Sequence, residues 1–333
     1  MTRPEYHSFR MTFQRSLTVI GAVLLLGLLV ILLMGLVPVS ANAMAPAPQP
    51  AGSYDEAVTR FRLLQQDEAG IIDMASQSYL LSHGAPTARV YVLVHGITNS
   101  PLQWLELGQT LYAQGHNVLI LRMPYHGLKS HQVSELKRLT HQDLRVYADQ
   151  AVDLAAGLGD EVVVVGISGG GAVAAWMIQN RPEVQRALLL APFFGIYDVP
   201  DSLNTVLMNA FSRLPNISLQ DPAEPRREWA YRGEATRGVA AFLGLGSAVR
   251  RAAQAGLAPG GQIIILTTAR DTVANNQSTA QLVNLWQQAG GDVSTVELAP
   301  ALDIPHNSVD PAADPAKKRL VYDKILDLLG EQP

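Results

Sequence analysis

Residues 162–177 have the sequence VVVVGISGGGAVAAWM. Four consecutive valines are typical of a strand buried on both faces, as in a parallel sheet, and the alanine-rich run that follows predicts a helix packed back onto that sheet. Between them lies Gly166-x-Ser168-x-Gly170, the spacing of a nucleophile elbow, where small neighbours permit a sharp strand-to-helix turn. We therefore expect the Ser168 hydroxyl to lie above the sheet edge, at a helix N-terminus whose N–H groups can stabilise an anion.

Strands and helices alternate on both sides of this turn. Strands are predicted at 77–81, 89–94, 118–121, 187–190, 263–266 and 293–298. Helices are predicted at 54–66, 102–113, 142–158, 278–289 and 317–329. This alternation predicts an α/β fold, with a mostly parallel twisted sheet flanked by helices on both faces.

Composition excludes several classes of protein. The chain has 333 residues, 48% of them hydrophobic, which is enough for one large core. A formal net charge of −4 and the lack of a Lys/Arg cluster argue against a nucleic-acid partner. The absence of cysteine excludes disulfides, thiolate nucleophiles and cysteine metal sites. Neither an HExxH motif nor an Asp/His cluster at ligand spacing occurs, so we expect no metal and no cofactor.

The amino terminus carries a targeting or anchoring signal. Arg3, Arg10 and Arg15 precede an uncharged apolar run of 23 residues, 17–39, which is long enough to cross a bilayer. The sequence Ala41-Asn42-Ala43 resembles a signal-peptidase site. Two interpretations stay open: an uncleaved transmembrane helix that anchors an extracytoplasmic domain, or a signal peptide cleaved after Ala43 to release a secreted protein.

Three regions follow from these signals. Residues 1–43 form the anchor or signal peptide, 44–53 a linker rich in proline and alanine, and 54–333 the folded domain. Within that domain, about 193–260 interrupt the strand–helix alternation. An apolar stripe at helical spacing marks this interval: Leu203, Val206, Leu207, Ala210, Phe211 and Leu214. We interpret the interval as a helical lid; the alternative is an ordinary core-facing crossover helix.

From about residue 75 to 333 the chain resembles the α/β-hydrolase family, in its lid-bearing serine esterase/lipase branch. The resemblance depends on His95-Gly96, the elbow at Ser168, an Asp after a late strand and a His near the carboxyl terminus, in the family's order. It implies the α/β-hydrolase fold and acyl transfer to water by a serine nucleophile.

The residues themselves indicate a similar chemistry. Ser168 is a weak nucleophile unless a base takes its proton, and His306, in a loop after the last strand, is the best-placed base. Asp271 follows the strand at 263–266 and would orient the imidazole and stabilise its cation. Asp198 is the alternative acid. Asp303 is too close in sequence to His306.

The family resemblance also implies an oxyanion hole. Its two donors would be the backbone N–H groups of Ile97, after the strand at 89–94, and of Gly169, directly after the nucleophile. His95 and His126, the latter in a turn that the family also carries, are interpreted as structural residues. Substrate-binding residues are not identifiable from the sequence.

Several functions stay open on the sequence alone. The leading one is hydrolysis of a carboxylic ester; a lid near a membrane suggests a hydrophobic acyl chain, as in an acylglycerol lipid. Alternatives are a serine peptidase or another acyl hydrolase on the same triad, and a non-catalytic hydrolase-like binding protein. Dinucleotide binding is disfavoured because the glycines come late after the strand and no ribose-binding acid follows. A dehalogenase would need a carboxylate where this chain has Ser168.

Overall fold

The computed structural model describes residues 18–30, 33, 35–37, 44–220, 222 and 225–332. Its strands are β1 (Tyr79–Leu81), β2 (Thr87–Val94), β3 (Asn117–Ile120), β4 (Gly159–Ile167), β5 (Val184–Leu190), β6 (Ser218–Gln220), β7 (Gly233–Ala235), β8 (Gln262–Thr268) and β9 (Val293–Leu298). Seven of them form one sheet in the order β1-β3-β2-β4-β5-β8-β9, and β6 and β7 pair separately as a small antiparallel hairpin.

The large sheet is parallel except at one edge, where β1 runs antiparallel to β3. Strand β4, which carries the valine run, lies at its centre between β2 and β5. Because parallel strands present their carboxyl ends at one edge, the loops after β2, β4, β8 and β9 gather there. Those four loops contain Ile97, Ser168, Asp271 and His306.

Helices cover both faces of the sheet. They are α1 (Tyr54–Glu68), α2 (Leu102–Ala113), α3 (His141–Ala156), α4 (Gly169–Asn180), α5 (Asp201–Arg213), α6 (Thr236–Gln254), α7 (Asn276–Gln288) and α8 (Pro315–Leu329). Val162 and Val164 pack on the side of α3, α4, α6 and α7, whereas Val163 and Val165 face α2 and α8. Alternate residues of one strand point to opposite faces, so a run of valines fills two cores at once.

The predicted α/β architecture is therefore confirmed. The helix predicted at 102–113 and the strand predicted at 293–298 match the observed elements, and most others differ at their ends by one to three residues. The β6–β7 hairpin was not predicted. Its strands have three residues each, too few for an alternating pattern to be recognised.

The interval predicted as a lid contains two different parts. Helix α6 lies in the core: Phe242 and Leu245 are fully buried in the cluster that α4 shares. It therefore matches the crossover-helix alternative, while α5 and the β6–β7 hairpin form the additional part of the insertion. None of the six residues of the predicted apolar stripe lines the cavity beside Ser168. The described residues of the insertion that do line it belong to the hairpin and its loop.

The segment before α1 is bonded to the domain. The N–H groups of Ala47 and Gln49 donate to the carboxylates of Asp149 and Asp153, each at 3.0 Å. Ala51 N–H donates to the carbonyl oxygen of Asp153 at 2.8 Å. These bonds hold the proline-rich chain against α3 up to the start of α1.

The predicted membrane span at 17–39 is only partly described. Residues 18–30 are helical and their apolar side chains are exposed. Residues 17, 31–32, 34 and 38–39, with the predicted cleavage site at 41–43, lie outside the described residues. Within the part of the chain that the structure describes, none of the helices has both the length and the apolar character of a bilayer span. Anchoring or cleavage stays a prediction.

The close packing around the elbow generates a stability prediction. A Cβ atom on Gly170 would lie 2.2 Å from the carbonyl oxygen of Val94, a backbone atom that has no room to retreat. We expect Gly170→Ala to lower the free energy of unfolding by about 3 kcal/mol, because overpacking in a core forces backbone shifts. Urea unfolding measures this change. Gly260→Ala, an exposed position with nothing within 4 Å of the added methyl group, is the matched control and should stay within about 0.5 kcal/mol of wild type; equal stability of the two variants would contradict the prediction.

Candidate active site

Ser168 lies between β4 and α4 with φ 55° and ψ −121°. A non-glycine residue at positive φ is strained, and such strain is typical of functional positions. The surroundings hold it there: the Ser168 N–H donates to the carbonyl of Leu190 at 3.0 Å, and the Ser168 carbonyl accepts from the N–H of Phe193 at 2.9 Å. The turn is therefore fixed from β5, its neighbour in the sheet.

The two motif glycines are required by close approach of the backbone. A Cβ on Gly166 would lie 2.2 Å from the carbonyl oxygen of Gly170, across the turn. A Cβ on Gly170 would meet the carbonyl groups of Val94 and His95, at the end of β2. Any side chain at either position would separate β4 from α4 or α4 from β2, so the motif is a steric requirement of this turn.

His306 and Asp271 form a buried hydrogen-bonded pair. Nδ1 of His306 lies 2.8 Å from Oδ2 of Asp271. The other oxygen of Asp271 accepts from the N–H groups of Val273 and Ala274, each at 2.8 Å. These bonds fix the carboxylate, and a fixed carboxylate at Nδ1 leaves Nε2 of the imidazole free to accept a proton.

Ser168 and His306 line one cavity of about 330 Å³, together with Gly96 and Ile97. Both residues are almost buried, with 6% and 5% of their surface exposed. The Ser168 hydroxyl makes no hydrogen bond with any residue that the structure describes. In unliganded enzymes the contact between nucleophile and base is often long and shortens when substrate binds.

Neither Asp198, the alternative acid, nor Asp303, which the sequence excluded, is bonded to the imidazole in the described part of the chain. Asp198 is exposed, at φ 57° in the turn before α5, and it makes no contact with His306. Asp303 is bonded to Lys317, which lowers the pKa of its carboxyl. Of the three candidate carboxylates, the structure brings only Asp271 to the imidazole.

The predicted oxyanion donors are neighbours. A Cβ on Gly169 would lie 2.5 Å from Cγ1 of Ile97, so the loop after β2 touches the first residue of α4. Within the described part of the chain, neither the Ile97 N–H nor the Gly169 N–H has a hydrogen-bond acceptor. Two free N–H groups beside a serine hydroxyl are what a developing oxyanion needs. Their catalytic role stays a prediction.

His95 and His126 hold the loop that carries Ile97. Nδ1 of His95 donates to the carbonyl of Gly96 at 2.9 Å, and its Nε2 accepts from the N–H of Met123 at 3.1 Å. Nε2 of His126 lies 2.6 Å from the carbonyl oxygen of Ile97. Burial lowers the pKa of His126 to about 4, so both imidazoles are neutral near pH 7. Neither lines the cavity.

The insertion forms one wall of the cavity. Tyr231 fixes this wall, since its N–H donates to the carbonyl of Thr98 and its hydroxyl to the carbonyl of Tyr125, both at 2.8 Å. The wall contributes Leu219, Gln220, Arg227, Tyr231, Arg232 and Glu234. Sequence reasoning identified none of these residues. The one available signal was the Asp-Pro turn at 221–222, which marks a loop without locating it.

Four further charged or amide side chains contribute to the lining, beside apolar residues such as Ile97 and Val273. They are Asn99, Gln103, Asn307 and Asp310. Asp310 accepts from Asn99 Nδ2 at 2.8 Å and lies 3.8 Å from Arg227. Among the described residues no group of three His, Asp or Glu side chains is arranged to hold a metal ion. The site contains a serine hydroxyl, an imidazole and free N–H groups, which are the groups that covalent acyl chemistry uses.

An elbow serine, a carboxylate–imidazole pair and free N–H donors on a parallel sheet define the class of α/β hydrolases. The sequence model described as the alpha/beta hydrolase family matches residues 91–316. The chain therefore belongs to the alpha/beta hydrolase family, as its sequence resemblance implied. Comparison with proteins of curated function gave no significant match.

Solved structures share the fold. One is among the metagenome-derived lipolytic enzymes LipS and LipT, with a TM-score of 0.57, 17% identity, and 78% of this chain and 99% of that chain covered. A second is a monoacylglycerol lipase of Paleococcus ferrophilus, with a TM-score of 0.55 and 16% identity. The match covers 76% of this chain and 97% of that chain. A third is Est1E of Butyrivibrio proteoclasticus, with ferulic acid bound, which has a TM-score of 0.53 and 16% identity. The match covers 79% of this chain and 99% of that chain. At such identities the likeness concerns the fold, and substrates have to be argued from this chain's own cavity.

The hydrogen bond between Asp271 and His306 generates a second prediction. In Asp271→Asn the amide keeps its size and can still accept from Val273 and Ala274, but its NH2 group favours the imidazole tautomer with the wrong nitrogen protonated. We expect ester hydrolysis to fall by about four orders of magnitude in kcat, with an unchanged melting temperature. Asp198→Asn is the matched control and should retain wild-type rates; the reverse ranking of the two variants would assign the acid to Asp198.

Proposed function

We propose that the protein is a serine hydrolase that cleaves carboxylic esters through an acyl-enzyme on Ser168. Oγ of Ser168 attacks the ester carbonyl carbon while Nε2 of His306 takes its proton, and Asp271 stabilises the resulting imidazolium. The N–H groups of Ile97 and Gly169 bind the oxyanion. Collapse of the tetrahedral intermediate breaks the ester bond, and the departing alcohol takes the proton from His306.

The second half of the reaction repeats these steps with water. Nε2 of His306 takes a proton from a water molecule, whose oxygen attacks the acyl carbonyl carbon. The bond to Oγ of Ser168 then breaks, the serine recovers its proton from His306, and the carboxylic acid leaves. The net reaction consumes one ester and one water and yields one alcohol and one acid, without a cofactor.

The strongest support for this proposal is the arrangement of Ser168, His306 and Asp271. The strained Ser168 and the imidazole of His306 line the same cavity, and His306 is hydrogen-bonded to the buried carboxylate of Asp271. A structural serine in a core needs neither a positive φ nor an oriented imidazole in the same cavity, and the strained backbone costs free energy, so the combination favours a functional role.

The cavity favours a small or polar substrate. Its volume of about 330 Å³ is at the lower end of the range of ligand pockets. Its walls include Asn99, Gln103, Arg227, Arg232 and Glu234. A long acyl chain placed there would desolvate these groups without replacing their hydrogen bonds. We therefore propose a short-chain or polar acyl ester in place of the long-chain acylglycerol suggested by the apolar stripe on α5.

Ser168→Ala tests the nucleophile. Removing Oγ leaves no atom that can form the acyl-enzyme, so we expect kcat for p-nitrophenyl acetate to fall by at least about 10⁴-fold. Ser294→Ala, at an exposed position of β9, is the control and should keep the wild-type rate. Circular dichroism should show both variants folded. A folded Ser168→Ala variant that still hydrolyses the ester at the wild-type rate would refute the mechanism.

The acyl preference follows from the cavity walls. Across p-nitrophenyl esters of rising chain length, we expect kcat/KM to be highest for acetate to butyrate and to fall by at least about tenfold by decanoate, because the longer chain meets polar walls. Initial rates below the micelle concentration of each ester measure this profile. A steady rise in kcat/KM towards decanoate would favour the lipase interpretation.

A further inference from the structure

The cavity contains a carboxylate that the reaction does not use. Glu234 lies in β7, paired with Leu219 of β6, and lines the cavity that contains Ser168 and His306. The residue is only partly exposed. Because Glu234 lines the same cavity as the nucleophile, it borders the space that a substrate would occupy.

The Glu234 carboxylate has no partner in the described part of the chain. It makes neither a hydrogen bond nor an ion pair there. Burial raises the pKa of this carboxyl, whereas the charge of the His306 imidazole acts to lower it. The two groups are therefore close enough to interact electrostatically. An unpaired, partly buried carboxylate is costly to maintain, since desolvation is not offset by a donor.

The other carboxylates of the site are satisfied. Asp271 is held by His306 and two backbone N–H groups, and Asp310 by the Asn99 amide and the N–H of Ala312. The nearby Arg232 donates Nη2 to the carbonyl of Pro222 at 2.7 Å. Neither of these acids is free to receive a ligand, and no ion pair joins Arg232 to Glu234 among the described residues.

The position of Glu234 is fixed by its neighbours in the chain. Tyr231, three residues earlier, is hydrogen-bonded to Thr98 and Tyr125 on the sheet side of the cavity. Two residues later α6 begins with Thr236, whose N–H donates to the carbonyl of Ile217. A carboxylate on a backbone held at both ends is preorganised, so a ligand that binds it need not order the hairpin.

We propose that Glu234 binds a cationic group of the substrate, so that the enzyme selects esters that carry an ammonium group. This inference rests on the proposed ester hydrolysis at Ser168. An ammonium group supplies the positive charge that the carboxylate lacks, in a cavity where water is partly excluded. A neutral ester of the same shape leaves the carboxylate unpaired. The enzyme should therefore have a higher kcat/KM for the cationic ester, and the ratio of the two values measures the selectivity.

A second role for Glu234 is distinguishable from this one. Through its influence on His306 the carboxylate could stabilise the imidazolium during catalysis. That effect would act on every substrate alike and would leave selectivity between substrates unchanged. The ratio of kcat/KM for a cationic and a neutral substrate therefore separates the two roles.

The test uses two isosteric esters. One is the p-nitrophenyl ester of trimethylammonio-butyrate, and the other is its neutral analogue, in which carbon replaces the quaternary nitrogen. We expect the wild-type enzyme to favour the cationic ester by at least about tenfold in kcat/KM, and Glu234→Gln to reduce this ratio to near one. Glu297→Gln, at an exposed position of β9, is the matched control and should keep the wild-type ratio.

A binding measurement separates this inference from the proposed function. Calorimetric titration of Ser168→Ala and of Ser168→Ala/Glu234→Gln with both esters needs no turnover. Preference for the cationic ester in the first variant, lost in the second, supports the inference even if wild type hydrolyses neither ester. Two results would overturn the inference while leaving the proposed hydrolysis intact. One is hydrolysis of both esters by wild type with equal kcat/KM, and the other is an equal decrease of kcat/KM for both esters in Glu234→Gln.

Discussion

The close approach of three backbone segments at Gly166 and Gly170 is the constraint on which the site depends. Gly170 lies against the carbonyl groups at the end of β2, and Gly166 lies against Gly170. The same contact that turns the chain at Ser168 therefore brings the Ile97 loop beside the start of α4. The hydroxyl and the two free N–H groups are neighbours because the backbone has no side chain between these segments.

The site divides into two parts with different origins. The groups proposed for bond cleavage lie on loops at one edge of the sheet, and the core buries the strands on both faces. Glu234 and Arg232 come from the insertion between β5 and β8, which is bonded to the sheet side through Tyr231. A rigid sheet can keep the chemistry constant while an insertion of this kind determines which substrate fits.

Strong local patterns made the sheet and the pairing of Asp271 with His306 predictable. Runs of β-branched residues such as the one in β4 identify buried strands, and parallel strands bring the loops that follow them to one edge. Asp198 was less easily excluded, because only the three-dimensional structure shows it exposed at positive φ, away from the imidazole.

The insertion was not predictable in the same way. Helix α6 has an apolar face whether it covers a cavity or packs in a core, and the structure places Phe242 in the core against Gly169. The β6–β7 hairpin is too short for a periodic signal, and Glu234 belongs to the cavity only through the tertiary bonds of Tyr231. The substrate selection that we propose for Glu234 would therefore depend on contacts that no local pattern in the sequence encodes.

The proposed mechanism requires that Ser168 is an activated nucleophile. Incubation with a fluorophosphonate, followed by intact-mass measurement and peptide mapping, tests it most directly, because the reagent forms a stable phosphonyl adduct only with an activated serine. We expect one adduct per chain, on the peptide that contains Ser168, and a strong loss of labelling in His306→Ala. An unlabelled protein, or an adduct on another serine, would contradict it.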